Sequence, residues 1–296
     1  MAVSDVPHAH RAGGADLVGD DVRRRVESYG VSHVGHVRPV NEDHFVVASL
    51  QRSVQLRQTN LEDHRPLDRL CGPMAYLYAV ADGVGGASGG RQASGLAVES
   101  IVEYLSETVG SYHAVAPGRE HDFLDPLRQA VQRAHDRLLD AFRSGEREGP
   151  ATTLTLALLV WPRAFLVHVG DSRAYHYRAG ALRRLTRDQT MGAFLVAQRA
   201  VSEQQAERSG LNDVLASALG AADMTPAVEV LDVEPGDVLL LCTDGLTKHL
   251  SEAQIAAVLA APADAREWCR ELVERALADG GRDNVTVVVV HTLAPA

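Results

Sequence analysis

The chain has 296 residues, 46% hydrophobic and 23% charged, with a formal net charge of −10. That is enough for one large domain or two small ones, with the composition of an ordinary soluble globular protein. The acidic balance, with no basic stripe to offset it, argues against a nucleic-acid surface, and no apolar run approaches the roughly 18 residues of a membrane span.

Residues 1–27 are rich in Gly, Ala, Asp, Arg and His without periodicity and read as a mobile arm. His8 and His10 make too weak a pair to hold a metal alone, and the polar start does not read as a signal peptide. One ordered unit is expected over 28–296. Ser32 to His36 leads into Arg38-Pro-Val-Asn-Glu42-Asp43, and Phe45 to Ala48 reads as a strand. The polar stretch 50–73, with two prolines, reads as a long projecting insertion.

The most informative stretch is Tyr78-Ala-Val-Ala-Asp82-Gly83-Val84-Gly85-Gly86. An apolar strand ends on a carboxylate, and glycines follow that let the backbone turn sharply and approach a ligand closely. Helical spacing covers Arg91 to Thr108 and Leu124 to Phe142. Strands are expected over Thr153–Val160, Phe165–Val169 and Arg173–Tyr177, with a hairpin turn at Arg178 to Ala181 into Leu182–Leu185. Short turns between them imply antiparallel pairing. Residues 188–220 carry a weaker helical pattern broken by Gly210-Leu-Asn-Asp and read as a semi-independent flap. Strands resume at Val228–Val233 and Val238–Cys242, the second running into Thr243-Asp244-Gly245. Ser251 and Gln254 form a capping box, a second helix covers about 263–278, and Val285–His291 is an apolar run buried on both faces. The order predicts a mixed, mainly antiparallel fold of two packed sheets covered by helices. Cys71, Cys242 and Cys269 form no CxxC pair and read as reduced, packed thiols of a cytoplasmic protein.

Glu42, Asp43, Asp82, Asp244 and Asp283 all fall at strand ends or tight turns. Each Asp-Gly alone is a common turn pair. As a set, converging carboxylates would repel one another unless cations joined them, and oxygen-only ligation favours Mg²⁺ or Mn²⁺. Arg38 beside this cluster suits a bidentate grip on phosphate. Ser172 lacks a His-Asp partner, so Asp171 and Arg173 read as an internal turn network. Thr152 and Thr153 read as hydroxyls bonded to backbone, and His168 as a satisfied core residue.

RPVNED at 38–43, VADGVGG at 80–86, ATT at 151–153, VGDSRAY at 169–175, CTDGL at 242–246 and RDNVTVVVV at 282–290 together resemble the metal-dependent protein phosphatases of the 2C type, in that family's order and over about 29–292. Val84, where many eukaryotic members have histidine, places the resemblance in the bacterial branch. It implies an α+β fold, an αββα four-layer sandwich with a binuclear Mn²⁺/Mg²⁺ site between the sheets. By the resemblance Asp82 would bridge both ions, with Glu42 and the Gly83 carbonyl on one and Asp244 and Asp283 on the other. Asp43 would act through a coordinated water, Arg38 would grip the substrate phosphate, and the bridging water would attack phosphorus in line. Substrates would be phosphoserine and phosphothreonine proteins, the products of a Ser/Thr kinase. The general acid is unassigned. A third ion stays open: bacterial relatives often place an aspartate before the paired threonines, where Glu148 is the nearest acidic residue and Ala151 replaces a glycine. Gln189 stands where the family often has histidine. Two other functions compete, a catalytically silent phosphoprotein-binding module and a hydrolase of small phosphoesters. Loss of a ligand would mark the first, and all five carboxylates and Arg38 are present.

Overall fold

A computed structural model of the chain describes residues 26–52, 72–85, 89–108, 121–142 and 149–293. Its strands are β1 Val26–His33, β2 Asp43–Arg52, β3 Gly72–Val84, β4 Ala151–Thr152, β5 Leu154–Val160, β6 Arg163–Val169, β7 Arg173–Arg178, β8 Ala181–Arg184, β9 Ala227–Asp232, β10 Val238–Cys242 and β11 Val285–Thr292. The helices are α1 Gly89–Thr108, α2 His121–Ala141, α3 Met191–Ala197, α4 Glu203–Arg208, α5 Asp244–Thr247, α6 Glu252–Leu259 and α7 Ala265–Ala278. One sheet runs β1-β11-β10-β7-β8; the other runs β2-β3-β5-β6-β9, with β4 added to β3. The described strand pairs are antiparallel.

Side-chain alternation builds the layers. On β11, Val287 and Val289 face the helix-covered core with Trp268 and Leu272 of α7, while Val288 and Val290 face the other sheet. On β3, Leu77, Ala79 and Ala81 pack with Ile101 of α1 and Leu127 of α2, while Tyr78 and Val80 join Leu239, Leu241 and Val288 between the sheets. Strands buried on both faces explain the continuous apolar runs. The expected αββα sandwich is the structure observed.

Several boundaries move. β1 begins at Val26, inside the stretch read as an arm, because its register with β11 extends to Val26↔Thr292; residues 1–25 lie outside the described set. The β2–β3 ladder continues through a bulge at Leu50/Gln51, so 50–52 and 72–73 are strand rather than insertion, and 53–71 lie outside the described set, as does Cys71. Asp82 and Gly83 are not at a strand end: Asp82 pairs with Asp43 and Gly83 with Thr152. The Ser251 capping box forms as read, and a second one at Asp264 and Glu267 starts α7.

Asn284 fixes the loop that carries the first motif. Its side-chain oxygen accepts from Glu42 N at 2.8 Å, and its amide donates to Val34 O at 2.9 Å and Val40 O at 3.0 Å. Asn284→Ala strands these part-buried groups. The expected cost is on the order of 2–4 kcal/mol, read as a lowered urea midpoint at unchanged m-value.

Candidate functional site

Asp43 and Asp82 sit directly opposite each other on β2 and β3, a like-charged cross-strand pair that would open the sheet if nothing offset it. Asp43 is held from the facing sheet. Its Oδ2 accepts from Thr243 Oγ1 at 2.8 Å and Thr286 Oγ1 at 2.7 Å, at the ends of β10 and β11. Its other oxygen is buried without a hydrogen-bond partner. Asp82 is fixed through its backbone: its N–H donates to Thr153 Oγ1 at 3.0 Å, and its carbonyl accepts from Thr152 Oγ1 at 2.9 Å and Thr153 N at 2.9 Å. The paired threonines thus act as read, on backbone.

The glycines after Asp82 and Asp244 serve close packing more than turning. A Cβ on Gly83 would run into the Gly90 carbonyl, and one on Gly245 into the Asn284 carbonyl. Gly90 also leaves room for the Glu42 carboxylate, whose Oε1 is buried and unpartnered. Asp244 opens the single turn of α5 after Thr243, a helix start absent from the strand-based reading. Asp283 lies two residues before β11. Arg38 grips it with two bonds, Nε to Oδ1 at 2.9 Å and Nη2 to Oδ2 at 3.0 Å.

Arg38, Glu42, Asp82, Gly83, Asp244 and Asp283 line one open cavity of about 750 Å³, with Asp43 behind them. The expected ligand set and Arg38 are thus brought together, Asp43 through its place opposite Asp82. Three further groups join them. Asp171 lines the same cavity; Arg173 does not pair with it but forms a bidentate bridge to Asp188 at 3.0 and 2.7 Å, which corrects the expected turn network. Lys248 Nζ lies 2.5 Å from Asp244 Oδ2 and 3.3 Å from Asp283 Oδ2; the Asp-x-x-x-Lys spacing was its only sequence signal. Gln189 accepts from Gly170 N at 3.0 Å and donates to Thr225 O at 3.0 Å, tying the Asp171 turn to the flap. The flap packs through α3, α4 and a 3₁₀ turn at Leu211–Asp213, bridges through Thr152↔Leu219, and forms one cavity wall. Ser172 is fully buried with its Oγ 2.7 Å from Thr153 Oγ1, so it is no exposed nucleophile. His168 is a buried core residue bonded to Thr155 and Arg187 O, as expected. Glu148 lies outside the described residues.

Crowding shows in the carboxylates. Burial, then Asp43, Asp244, Asp171 and Asp283, hold Asp82 well above the usual range. Burial pushes Asp43 up to about 7 against the two threonine bonds, and burial with Asp244 and Asp188 pushes Asp171 to about 7. Burial raises Asp244 as well, opposed by Lys248. Burial disfavours charge on Lys248, yet Asp244 and Asp283 outweigh it and hold the ammonium above its ordinary value. An oxygen-only set with orphaned buried oxygens on Glu42, Asp43 and Asp244 fits hard divalent cations. Among the described residues no three His, Cys, Asp or Glu side chains are already closed around one point; Arg38 and Lys248 instead hold the oxygens of Asp283 and one of Asp244.

A family model for protein phosphatase 2C matches residues 70–285. The chain belongs to the protein phosphatase 2C family. It is 33% identical over 220 residues to the serine/threonine protein phosphatase PstP of Mycobacterium tuberculosis, a match that covers 74% of this chain and 41% of that protein. It is 30% identical over 217 residues to the serine/threonine phosphatase stp of Listeria monocytogenes, covering 73% and 84%. The crystal structure of the PstP catalytic domain in complex with 2 manganese ions superimposes with a TM-score of 0.69 at 30% identity, covering 91% of this chain and 99% of that one. The chain thus matches less than half the length of the mycobacterial phosphatase, and the resemblance to the 2C family stands on shared motifs as well as shared fold.

Carboxylates raised from about 4 to about 7 bind protons in the folded state that the unfolded chain has lost. Stability in a chelating buffer is therefore expected to fall as pH rises from about 4 through about 7. Thermal midpoints across that window check it; a rise instead would show these groups charged and satisfied.

Proposed function

We propose that this 2C-family chain is a metal-dependent protein serine/threonine phosphatase acting on phosphoserine and phosphothreonine proteins, including substrates of a Ser/Thr kinase. The observation that carries the reading is the convergence of Glu42, Asp82, Asp244 and Asp283 on one cavity, with Asp43 behind them and buried oxygens left without partners.

On this reading Glu42, Asp82, the Gly83 carbonyl, Asp244 and Asp283 would hold two Mn²⁺ or Mg²⁺ ions, with Asp244 and Asp283 on the side away from Glu42, and Asp43 acting through a coordinated water. Bound there, the ions would supply Lewis acidity that neutralises phosphate charge and activates an attacking water. The chain's own groups do the rest. Arg38, half-exposed at the cavity rim, offers a planar fork suited to two phosphate oxygens. The threonine bonds to Asp43 and to the Asp82 backbone fix the carboxylates before substrate arrives, so that little reorganisation is left for the reaction. Ser172, fully buried against Thr153, is not placed to act as a nucleophile. Val84 lines the cavity where histidine stands in many eukaryotic members, and no side chain is assigned as general acid.

A cytoplasmic setting accords with the buried free thiols of Cys242 and Cys269. Among the described residues no helix is long and apolar enough to cross a membrane, and the net charge of −10 disfavours a nucleic-acid partner.

The deciding experiment is hydrolysis of a phosphothreonine peptide by chelator-stripped protein before and after Mn²⁺ is restored. Metal-dependent turnover is expected, and faster turnover of nucleotides or sugar phosphates would redirect the reading to small phosphoesters. No turnover from folded, Mn²⁺-loaded protein would favour a silent phosphoprotein-binding module. Asp82→Asn and Asp244→Asn are each expected to lower kcat by about a thousandfold or more; near-normal turnover in either would remove that residue from the site. Arg38→Ala is expected to raise KM several-fold with a smaller change in kcat, as loss of a binding contact does.

A further inference from the structure

Lys248 is the cationic group at this site that neither the motifs nor the proposed chemistry uses. It stands one helical turn after Asp244. Its Nζ joins two carboxylates from separate segments, Asp244 Oδ2 at 2.5 Å after β10 and Asp283 Oδ2 at 3.3 Å before β11. It thereby sits on the pair assigned above to one of the two ions. Glu42 Oε1 and Asp244 Oδ1 are both buried with no partner, but of the ligand candidates Arg38 and Lys248 reach only Asp244 and Asp283, so the two sides are unequally neutralised. An ammonium is a compact point charge on a flexible stem. It can bridge two carboxylates as a dication would, but with half the charge.

We propose that Lys248 is a built-in counter-ion for Asp244 and Asp283, that a divalent ion entering on their side displaces its ammonium, and that this exchange weakens metal binding on that side relative to the Glu42 side. The proposal rests on the metal-site reading above. The displaced ammonium is not stranded, because Asp213 Oδ1 on the flap's 3₁₀ turn lies 4.0 Å away on an exposed side chain. The exchange has a calculable effect. When an internal group holds a site closed for about 90–99% of the time, the apparent Kd of the incoming ligand rises about 10- to 100-fold.

Two roles for Lys248 are separable. A merely structural lysine would lower stability on removal and leave metal affinity unchanged or worse. A competing counter-ion would lower stability without metal and tighten metal binding. Isothermal titration of the full chain with Mn²⁺, after chelation and dialysis, is to be compared for wild type, Lys248→Met and Lys248→Arg. In Lys248→Met the weaker of the wild-type binding events is expected to tighten about tenfold or more, and the stronger to stay within about threefold. Lys248→Arg keeps the charge and is expected to stay near wild type. The thermal midpoint of Lys248→Met in chelator should fall below wild type, with the gap closing in saturating Mn²⁺. Equal or weaker Mn²⁺ binding by Lys248→Met would overturn the proposal. Circular dichroism checks each fold; should the methionine variant not fold even with Mn²⁺, Lys248→Gln is held to the same expectation. A wild type that binds no Mn²⁺ would sink the metal-site reading itself, whereas Mn²⁺ binding left untightened in Lys248→Met would sink only the role of Lys248.

Discussion

The two sheets meet at a charge. Asp43 belongs to β2, yet its Oδ2 accepts both its hydroxyl bonds from the facing sheet, Thr243 at 2.8 Å and Thr286 at 2.7 Å. Away from this end the layer between the sheets is apolar, with Tyr78, Leu241 and Val288 packed there. A carboxylate there, only 5% exposed, loses most of its hydration, and two neutral hydroxyls return only part of it. What the clasp does return is register: β2 cannot slide past β10 and β11 without stranding a buried carboxylate. The position of Asp82 follows, since β2 sets where β3 lies and Asp82 faces Asp43 across the ladder.

The rest of the site is backbone held from outside the carboxylates. The hydroxyls of Thr152 and Thr153 bind the peptide groups of Asp82, Asn284 binds the loop before Glu42, and the carbonyls of Gly90 and Asn284 press against Gly83 and Gly245. None of these contacts needs the carboxylates to be neutralised. The scaffold therefore keeps like charges close although they repel, and their raised protonation ranges record the strain. Such strain persists where surrounding structure over-determines it, and cations relieve it.

Legibility in the sequence followed the range of the interaction. The apolar runs of β3, β10 and β11 and the capping box at Ser251 depend on neighbours a few residues away, and they could be read directly. The ligand candidates could be read because each sat at a strand end or tight turn, with a Gly or Asn nearby. Asp171 was misassigned because its near neighbour Arg173 offered a local partner, whereas Arg173 reaches Asp188 on the far side of β8. The threonine clasp on Asp43 spans 200 and 243 residues, and no spacing rule reaches that far. Lys248 had a local signal, the four-residue step from Asp244, but nothing local announced that Asp283 would lie on its other side. The glycines were found for one reason and kept for another: Gly83 lies in extended strand, so its role is close approach rather than a turn.

Charge also orders events at the cavity. Seven acidic side chains line it, Glu42, Asp82, Asp171, Asp213, Asp223, Asp244 and Asp283, against Arg38 and Lys248, a formal balance of −5. The molecule around it carries −10. A phosphate dianion approaching such a wall meets repulsion that Arg38 cannot reverse, because its guanidinium is already taken up by Asp283. On the phosphatase reading, two dications would bring the formal balance of the wall to −1. By drawing on the Asp283 carboxylate they would also loosen its hold on Arg38. The same ions that neutralise the wall would then free the group that grips the phosphate. Metal would have to enter first, and substrate affinity would be conditional on it through Asp283, the one carboxylate that touches both cationic side chains.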